Sequence, residues 1–222
     1  MDYELRITDD GSTTLYSKAV KDTYHSSFGA IQESQFIFID QGLLKLSLKQ
    51  NVKILEIGFG TGLNAILTLK ASNEYKISVK YTGIEPFPLD SLTLNSLNYF
   101  DQIKDNKLKN SFSKIHSSKS NVKNIINDLF RFEVLHESLQ DVRLGNDLYD
   151  IVYFDAFGPD AQPEMWTKEM FEKVYSSMKQ GASLLTFSAK GIVKRNLRSA
   201  GFRVERLEGP PGKRHILRAK KE

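Results

Sequence analysis

Four acids stand where apolar runs stop. Glu56 closes the run that starts at Val52, Glu85 follows residues 77–84, Asp155 follows 148–154, and Asp141 lies a little beyond 132–136. A carboxylate at the end of a buried strand can accept hydrogen bonds from hydroxyls and amines, and it can take a proton. One such acid is an ordinary helix cap or a solvated strand end; four of them outline a crevice. Behind Glu56 come Gly58, Gly60 and Gly62 at alternate positions, then Asn64 and a helix-compatible run to Leu69. Glycine lets the backbone turn sharply and lets a ligand approach with no Cβ in the way. A helix starting there aims free N–H groups at whatever sits over the loop. The spacing is not that of the dinucleotide fingerprint G-x-G-x-x-G, whose third glycine would fall on Leu63.

These residues need elements to position them. Residues 3–8 and 13–17 read as a hairpin turning on Asp10-Gly11. A polar, aromatic stretch covers 22–30, an apolar one 31–39, and Asp40 is a candidate cap for a helix over 41–48. Strands are expected at 52–57, 77–84, 132–136, 148–154, 183–188, 202–207 and 215–219, the last two an antiparallel pair joined through Gly209-Pro210-Pro211-Gly212. Helices are expected from Leu63, over 89–97, 122–130, 164–178 and 192–200, with Gly201 ending the last. Residues 101–121, rich in Lys, Asn and Ser, read as an exposed loop or short helices. Strands alternating with helices predict an α/β fold: a mostly parallel seven-stranded sheet covered on both faces, with ligands at the carboxyl ends of the strands.

At 222 residues the chain suits a single domain, with residues 1–50 as an N-terminal extension and 51–222 as the core. It has no cysteine, hence no disulfide and no thiol nucleophile. His25, His116, His136 and His215 have no ligand spacing, so no metal is expected. The first residues do not read as a signal peptide and no apolar run is long enough to span a bilayer, which fits a cytoplasmic enzyme. From Lys190 onward eleven basic residues face three acids, a local charge of +8, leaving −4 on residues 1–189. Such a basic third suggests a polyanionic partner, although it also fits a plain solvated surface.

The Glu56-x-Gly58-x-Gly60-x-Gly62 stretch resembles motif I of the class I S-adenosylmethionine (AdoMet) methyltransferases, which have a Rossmann-like fold. The resemblance implies AdoMet as cofactor. Glu56 would help hold its ammonium, directly or through water, beside Gly58, Gly60, Gly62 and Asn64. Glu85 would take the ribose hydroxyls and Asp141 the adenine amino group. Residues 154–159, 162–166, 186–191, 193–197, 200–202 and 209–214 add to this, as do 22–26 and 33–43. Together they resemble the MnmC-like tRNA methyltransferases over about residues 22–219, with nothing to match at 101–130.

That resemblance implies methylation of the aminomethyl group of 5-aminomethyl-(2-thio)uridine at the tRNA wobble position. With no room for the FAD-dependent oxidase that many members carry, the stand-alone (MnmD-type) form is expected, relying on other enzymes for its aminomethyl substrate. Asp155 would sit by the cofactor, orient the amine and accept its proton. Phe157 either packs against the flipped base or is a core aromatic, and Trp166 reads as helix packing. Lys190, Lys194, Arg195, Lys213 and Arg214 are assigned to tRNA phosphates. Two other readings stay open: an N-methyltransferase or aminopropyltransferase-like enzyme acting on a small-molecule amine, and a catalytically silent RNA-binding subunit.

Overall fold

The computed structural model describes residues 3–46 and 51–222. Strands β1 (Tyr3–Ile7) and β2 (Thr13–Ser17) form the expected antiparallel hairpin, and a short β3 (Asp22–Thr23) pairs with β2. Helix α1 (Ala30–Ser34) runs on as a π-helical stretch, Gln35–Asp40, which buries Ile37, Phe38 and Ile39. The helix expected over 41–48 is displaced. Asp40 ends a helical segment rather than capping one, and only a 3-10 turn, Leu43–Lys45, follows. Gly42 stands at the break with ψ −94°, and a Cβ there would lie 2.3 Å from the Phe38 carbonyl oxygen, so this turn requires glycine. Residues 47–48 of that expectation lie outside the described residues.

The core follows in βα order. Strand β4 (Asn51–Ile57) leads into α2 (Leu63–Tyr75) and β5 (Ser78–Ile84). Three short helices come next: α3 (Ser91–Asn95), α4 (Tyr99–Ile103) and α5 (Leu108–His116). Then come β6 (Asn124–Ile125), β7 (Phe130–Leu135) and β8 (Tyr149–Phe154). A 3-10 turn, Pro163–Trp166, precedes α6 (Lys168–Ser177), β9 (Met178–Thr186), α7 (Gly191–Ser199), β10 (Arg203–Glu208) and β11 (His215–Lys220).

The helix expected at 122–130 does not form; β6 and a turn replace it. Asparagine chemistry decides this. Asn121 is left-handed at φ 61°, and the Asn127 side chain accepts from Leu129 N at 2.9 Å, closing a turn into β7.

The sheet order is β10-β11-β9-β8-β4-β5-β7-β6. Strands β7, β5, β4, β8 and β9 are parallel, and β11 is antiparallel to both β9 and β10. The seven expected strands are present, and the two-residue β6 adds an eighth at the edge. Alternation along each strand splits the core. Ile54, Tyr81, Phe132 and Tyr153 face α2 and the leader residues Ile37 and Phe38. Leu55, Val152 and Phe154 face Trp166, Phe171, Val193 and Leu197. Trp166 is 2% exposed and edge-on to Phe154 at 5.0 Å, so it is helix packing as read from the sequence.

Candidate active site

The carboxyl ends of β4, β5 and β8 open at one edge of the sheet. There a cavity of about 420 Å³ is walled by Gly58, Gly60, Glu85, Leu139, Asp155 and Phe157, with Val20 and Tyr24 of the leader closing it from the side. The parallel order makes this the point where chain ends from neighbouring strands converge.

The glycine loop is pinned from below: Gly58 N and Phe59 N both donate to the Ile84 carbonyl, at 3.2 and 3.0 Å. Gly58 has φ +83°, and a Cβ there would lie 2.6 Å from the Asp155 carbonyl oxygen; at Gly60, φ +51°, it would strike the Tyr24 ring at 2.9 Å. Both positions require glycine. Gly62 lies behind the cavity wall, at the N-cap of α2, beside His116.

Glu56 is fully buried. Its Oε1 accepts from Asn64 Nδ2 and its Oε2 from the Tyr81 hydroxyl, each at 2.8 Å. Burial pushes its carboxyl well above the usual range, against those two hydrogen bonds. Each oxygen holds one protein donor, the carboxyl is sealed from solvent, and Glu56 does not line the cavity. Direct contact with a ligand ammonium, one of the two options read from the sequence, does not fit this geometry. The second hydrogen of Asn64 Nδ2 goes to Asp155 Oδ2, also at 2.8 Å, while Asn64 Oδ1 is buried without a hydrogen bond. A chain thus runs Tyr81–Glu56–Asn64–Asp155 from the core to the cavity.

Glu85 is buried at the end of β5 and lines the cavity. Its Oε2 accepts from Gly60 N at 2.8 Å and its Oε1 from Phe87 N at 2.9 Å. Burial raises its pKa, opposed by those two backbone donors. The carboxylate is locked in place with acceptor capacity to spare. Asp141 is not brought to the cavity. It is exposed and accepts from Ser138 Oγ at 2.6 Å, and the cavity wall from that turn is Ser138, Leu139 and Gln140.

Asp155 is half-buried and faces the cavity. Burial pushes its carboxyl up to about 7; Glu33 adds to the rise, and the Asn64 hydrogen bond and Lys213 oppose it. Phe157 is half-buried, lines the cavity and meets the Tyr24 ring edge-on at 4.9 Å.

An open groove of about 790 Å³ adjoins this region, and Lys21, Phe187, Lys190, Lys213, Arg214 and His215 line it. It brings Lys190, Lys213 and Arg214 together; Lys194 and Arg195, on α7, are not in its wall. Lys190 pairs with Asp160, and Lys213 pairs with Glu33 at 3.2 Å.

Sequence reading missed Tyr81, Tyr24 and His116. His116 reaches back from α5 to place Nε2 3.1 Å from the Thr61 carbonyl, against the glycine loop. An aromatic at strand or helix spacing gives no sign of such a contact. Among the described residues no group of three or more His, Cys, Asp or Glu side chains could hold a metal ion.

Comparison with known proteins bears on the family and the fold. A model of the S-adenosyl-L-methionine-dependent methyltransferases matches residues 98–222. The bifunctional tRNA 5-methylaminomethyl-2-thiouridine biosynthesis protein MnmC of Pseudoalteromonas atlantica is 33% identical over 215 residues, 88% of this chain and 30% of that protein. MnmC of Leptospira interrogans is 29% identical over 229 residues, 95% of this chain and 34% of that protein. The chain spans about a third of the length of these curated relatives. Among solved structures, MnmC2 from Aquifex aeolicus has a TM-score of 0.79 at 25% identity, covering 100% of this chain and 70% of that one. Spermidine synthase from Thermotoga maritima shares the fold, with a TM-score of 0.54 at 16% identity over 99% of this chain and 72% of that one.

The cofactor of that family is S-adenosyl-L-methionine, and the residues present suit it. The loop at Gly58 and Gly60 has no space for a Cβ. Glu85 is a fixed acceptor of the kind that two ribose hydroxyls need. Leu139, Phe87 and Met165 give the cavity apolar walls for a flat base. The matched model covers more than half of the sequence, and the protein belongs to the S-adenosyl-L-methionine-dependent methyltransferase family.

Proposed function

We propose that this enzyme methylates the aminomethyl nitrogen of 5-aminomethyl-(2-thio)uridine at the tRNA wobble position, giving 5-methylaminomethyl-(2-thio)uridine. The observation that carries the reading is Asp155: a carboxylate with its pKa raised to about 7, facing the cavity, in a chain that also presents a basic groove. The curated relatives, named for tRNA 5-methylaminomethyl-2-thiouridine biosynthesis, support it.

S-adenosyl-L-methionine, when bound, supplies an electrophilic methyl group. Gly58, Gly60 and Glu85 would hold it, with Asn64 behind them. Everything else is alignment and control of one proton. An alkylammonium has a pKa of about 10 and cannot attack while protonated. Asp155 Oδ2 is held by Asn64, which leaves Oδ1 to accept the substrate N–H. The N–H bond breaks, the proton stays on Asp155, and the nitrogen lone pair becomes available. A carboxylate raised towards 7 is a better proton acceptor than an ordinary one near 4. Phe157 and Tyr24 give the extruded base an aromatic wall. Lys190 and Arg214, with Lys194 and Arg195 on the neighbouring helix, meet phosphates.

This reading sets the protein in the cytoplasm with the tRNA pool, after an activity that exposes the aminomethyl group. No described helix is long and apolar enough to cross a membrane. Transfer of labelled methyl from S-adenosyl-L-methionine to tRNA, followed by nucleoside analysis, tests it. The label is expected in 5-methylaminomethyl-(2-thio)uridine; label in another nucleoside would reject this substrate.

A further inference from the structure

Helices α4 and α5 have no part in the mechanism above, yet side chains from both converge on one residue of the glycine loop. Thr61 lies between Gly60 and Gly62 and is 2% exposed. The Tyr99 hydroxyl, at the start of α4, donates to Thr61 Oγ1 at 3.0 Å. His116, at the end of α5, places Nε2 3.1 Å from the Thr61 carbonyl oxygen. A carbonyl only accepts, so Nε2 carries the hydrogen. The imidazole packs on the Phe59 and Phe112 rings, with centroids 5.3 and 4.3 Å away. A Cβ on Gly62 would lie 2.7 Å from the same Nε2. The third glycine of the motif, which does not line the cavity, thus leaves the space through which His116 reaches the loop.

The two helices are themselves fixed. Thr13 N donates to Asn98 Oδ1 at 2.8 Å, Asn98 N to Thr13 Oγ1 at 2.9 Å, and Asn98 Nδ2 to the Gly11 carbonyl at 2.9 Å. The leader hairpin therefore holds the residue next to Tyr99, while Leu108, Phe112 and Ile115 bury one side of α5.

A loop of this composition needs such support. Gly58, Gly60 and Gly62 have φ of +83°, +51° and +74°. Glycine has the freest backbone, so a loop with three of them loses the most freedom when it orders. A ligand that seats against a loop already ordered does not have to provide that ordering. The sheet fixes one part of the loop, through Ile84 to Gly58 and Phe59 and through Glu85 to Gly60. Apolar packing already attaches α5 to the core. Two polar groups brought from separate helices onto Thr61 add what packing does not, a fixed position for the loop backbone. We propose that Tyr99 and His116 are positioning residues for the cofactor: acting through Thr61, they hold the glycine loop in the form that receives S-adenosyl-L-methionine. Neither lines the cavity. The proposal rests on the family's cofactor and not on which nitrogen is methylated.

Tyr99→Phe removes only the hydroxyl, His116→Leu removes the donor, and His116→Gln keeps an N–H of similar reach. Calorimetry with S-adenosyl-L-methionine, well below each melting temperature, reads the affinity of the folded protein. Hydrogen exchange at Gly62 N, which donates to the Phe59 carbonyl at 2.9 Å, reads opening of the loop without cofactor. Tyr99→Phe and His116→Leu are each expected to weaken affinity by about three- to tenfold, the effect of one hydrogen bond, and to speed exchange at Gly62 by a similar factor. His116→Gln should recover most of both losses. Thr61→Val combined with Tyr99→Phe should bind no more weakly than Thr61→Val alone, because both changes break the same bond.

A purely structural role predicts lowered melting temperatures with affinity and Gly62 exchange unchanged, and that result overturns the proposal. So does a His116→Gln variant that binds no better than His116→Leu. Should His116→Leu fail to fold, Tyr99→Phe carries the test, and unchanged affinity there overturns the proposal. Expected losses of cofactor affinity in an enzyme that labels some other nucleoside would support the brace and reject the substrate, which keeps the two readings distinguishable.

Discussion

Asn64 holds Asp155 through a 2.8 Å hydrogen bond from Nδ2, and the same nitrogen donates to buried Glu56 at 2.8 Å. One amide thus ties the acid of the glycine-loop strand to the acid that faces the cavity. Its orientation is dictated, because only the NH₂ group can face two carboxylates.

Asn64→Ala should cut both ties. A buried Glu56 oxygen is left with no donor, at a cost of about 1–3 kcal/mol, and Asp155 is freed to rotate. Urea denaturation should show lowered stability, and methyl transfer should fall even where cofactor saturates. Full stability with full turnover would show that Asn64 organises nothing.

Glu85→Ala should weaken cofactor binding. The variant leaves Gly60 N and Phe87 N without their acceptor and removes the partner expected for the ribose hydroxyls. A loss of about 1–3 kcal/mol corresponds to roughly ten- to a hundredfold in affinity. Calorimetry with S-adenosyl-L-methionine reads this directly; an unchanged affinity with the fold intact would remove Glu85 from the cofactor site.

Asp155 predicts a pH dependence with a definite sign. Its pKa is raised to about 7, so in the proposed role as base it would be lost as pH falls below that value, and the single-turnover rate should drop about tenfold per pH unit there. Because the folded state favours the protonated form, stability from this group is present at low pH and lost as pH rises from the unfolded value near 4 through 7. Asp155→Asn should therefore lose turnover while keeping tRNA affinity, and gain thermal stability relative to wild type more at pH 8 than at pH 5. A near-normal turnover in Asp155→Asn would assign the proton to another group.

The RNA footprint is best tested without Lys213, whose charge is engaged by Glu33. Lys194→Glu, Arg195→Glu and Arg214→Glu together should weaken tRNA binding and flatten its dependence on salt, since each lost phosphate contact removes a released counterion. S-adenosyl-L-methionine binding should be unaffected. Unaltered tRNA affinity would move the footprint elsewhere, to the lysine-rich 104–123 segment.

What the sequence revealed was whatever local chemistry controls. The glycines after Glu56 and the acids at strand ends are dictated by backbone geometry, and Gly58, Gly60, Glu85 and Asp155 do line one cavity. Apolar spacing was weaker where asparagines compete: residues 122–130 carry a helix-like pattern, yet Asn121 and Asn127 turn the chain into strands. Partnerships across the fold were invisible. Nothing local says that Lys213 meets Glu33, that Asn64 bridges two acids, or that Asp141 stays in solvent beside Ser138. Charge along the chain located the basic third, but which of its cations is free depends on contacts between residues far apart in sequence.

The central claim is methyl transfer to the wobble aminomethyl nitrogen, and a comparison of two tRNA pools tests it most directly. One pool lacks only the final methyl and the other lacks the whole aminomethyl group; both are incubated with enzyme and methyl-labelled S-adenosyl-L-methionine. Label should enter the first pool in proportion to its aminomethyluridine, and the second not at all. Equal labelling of both pools, or none in either with cofactor bound, would contradict the account.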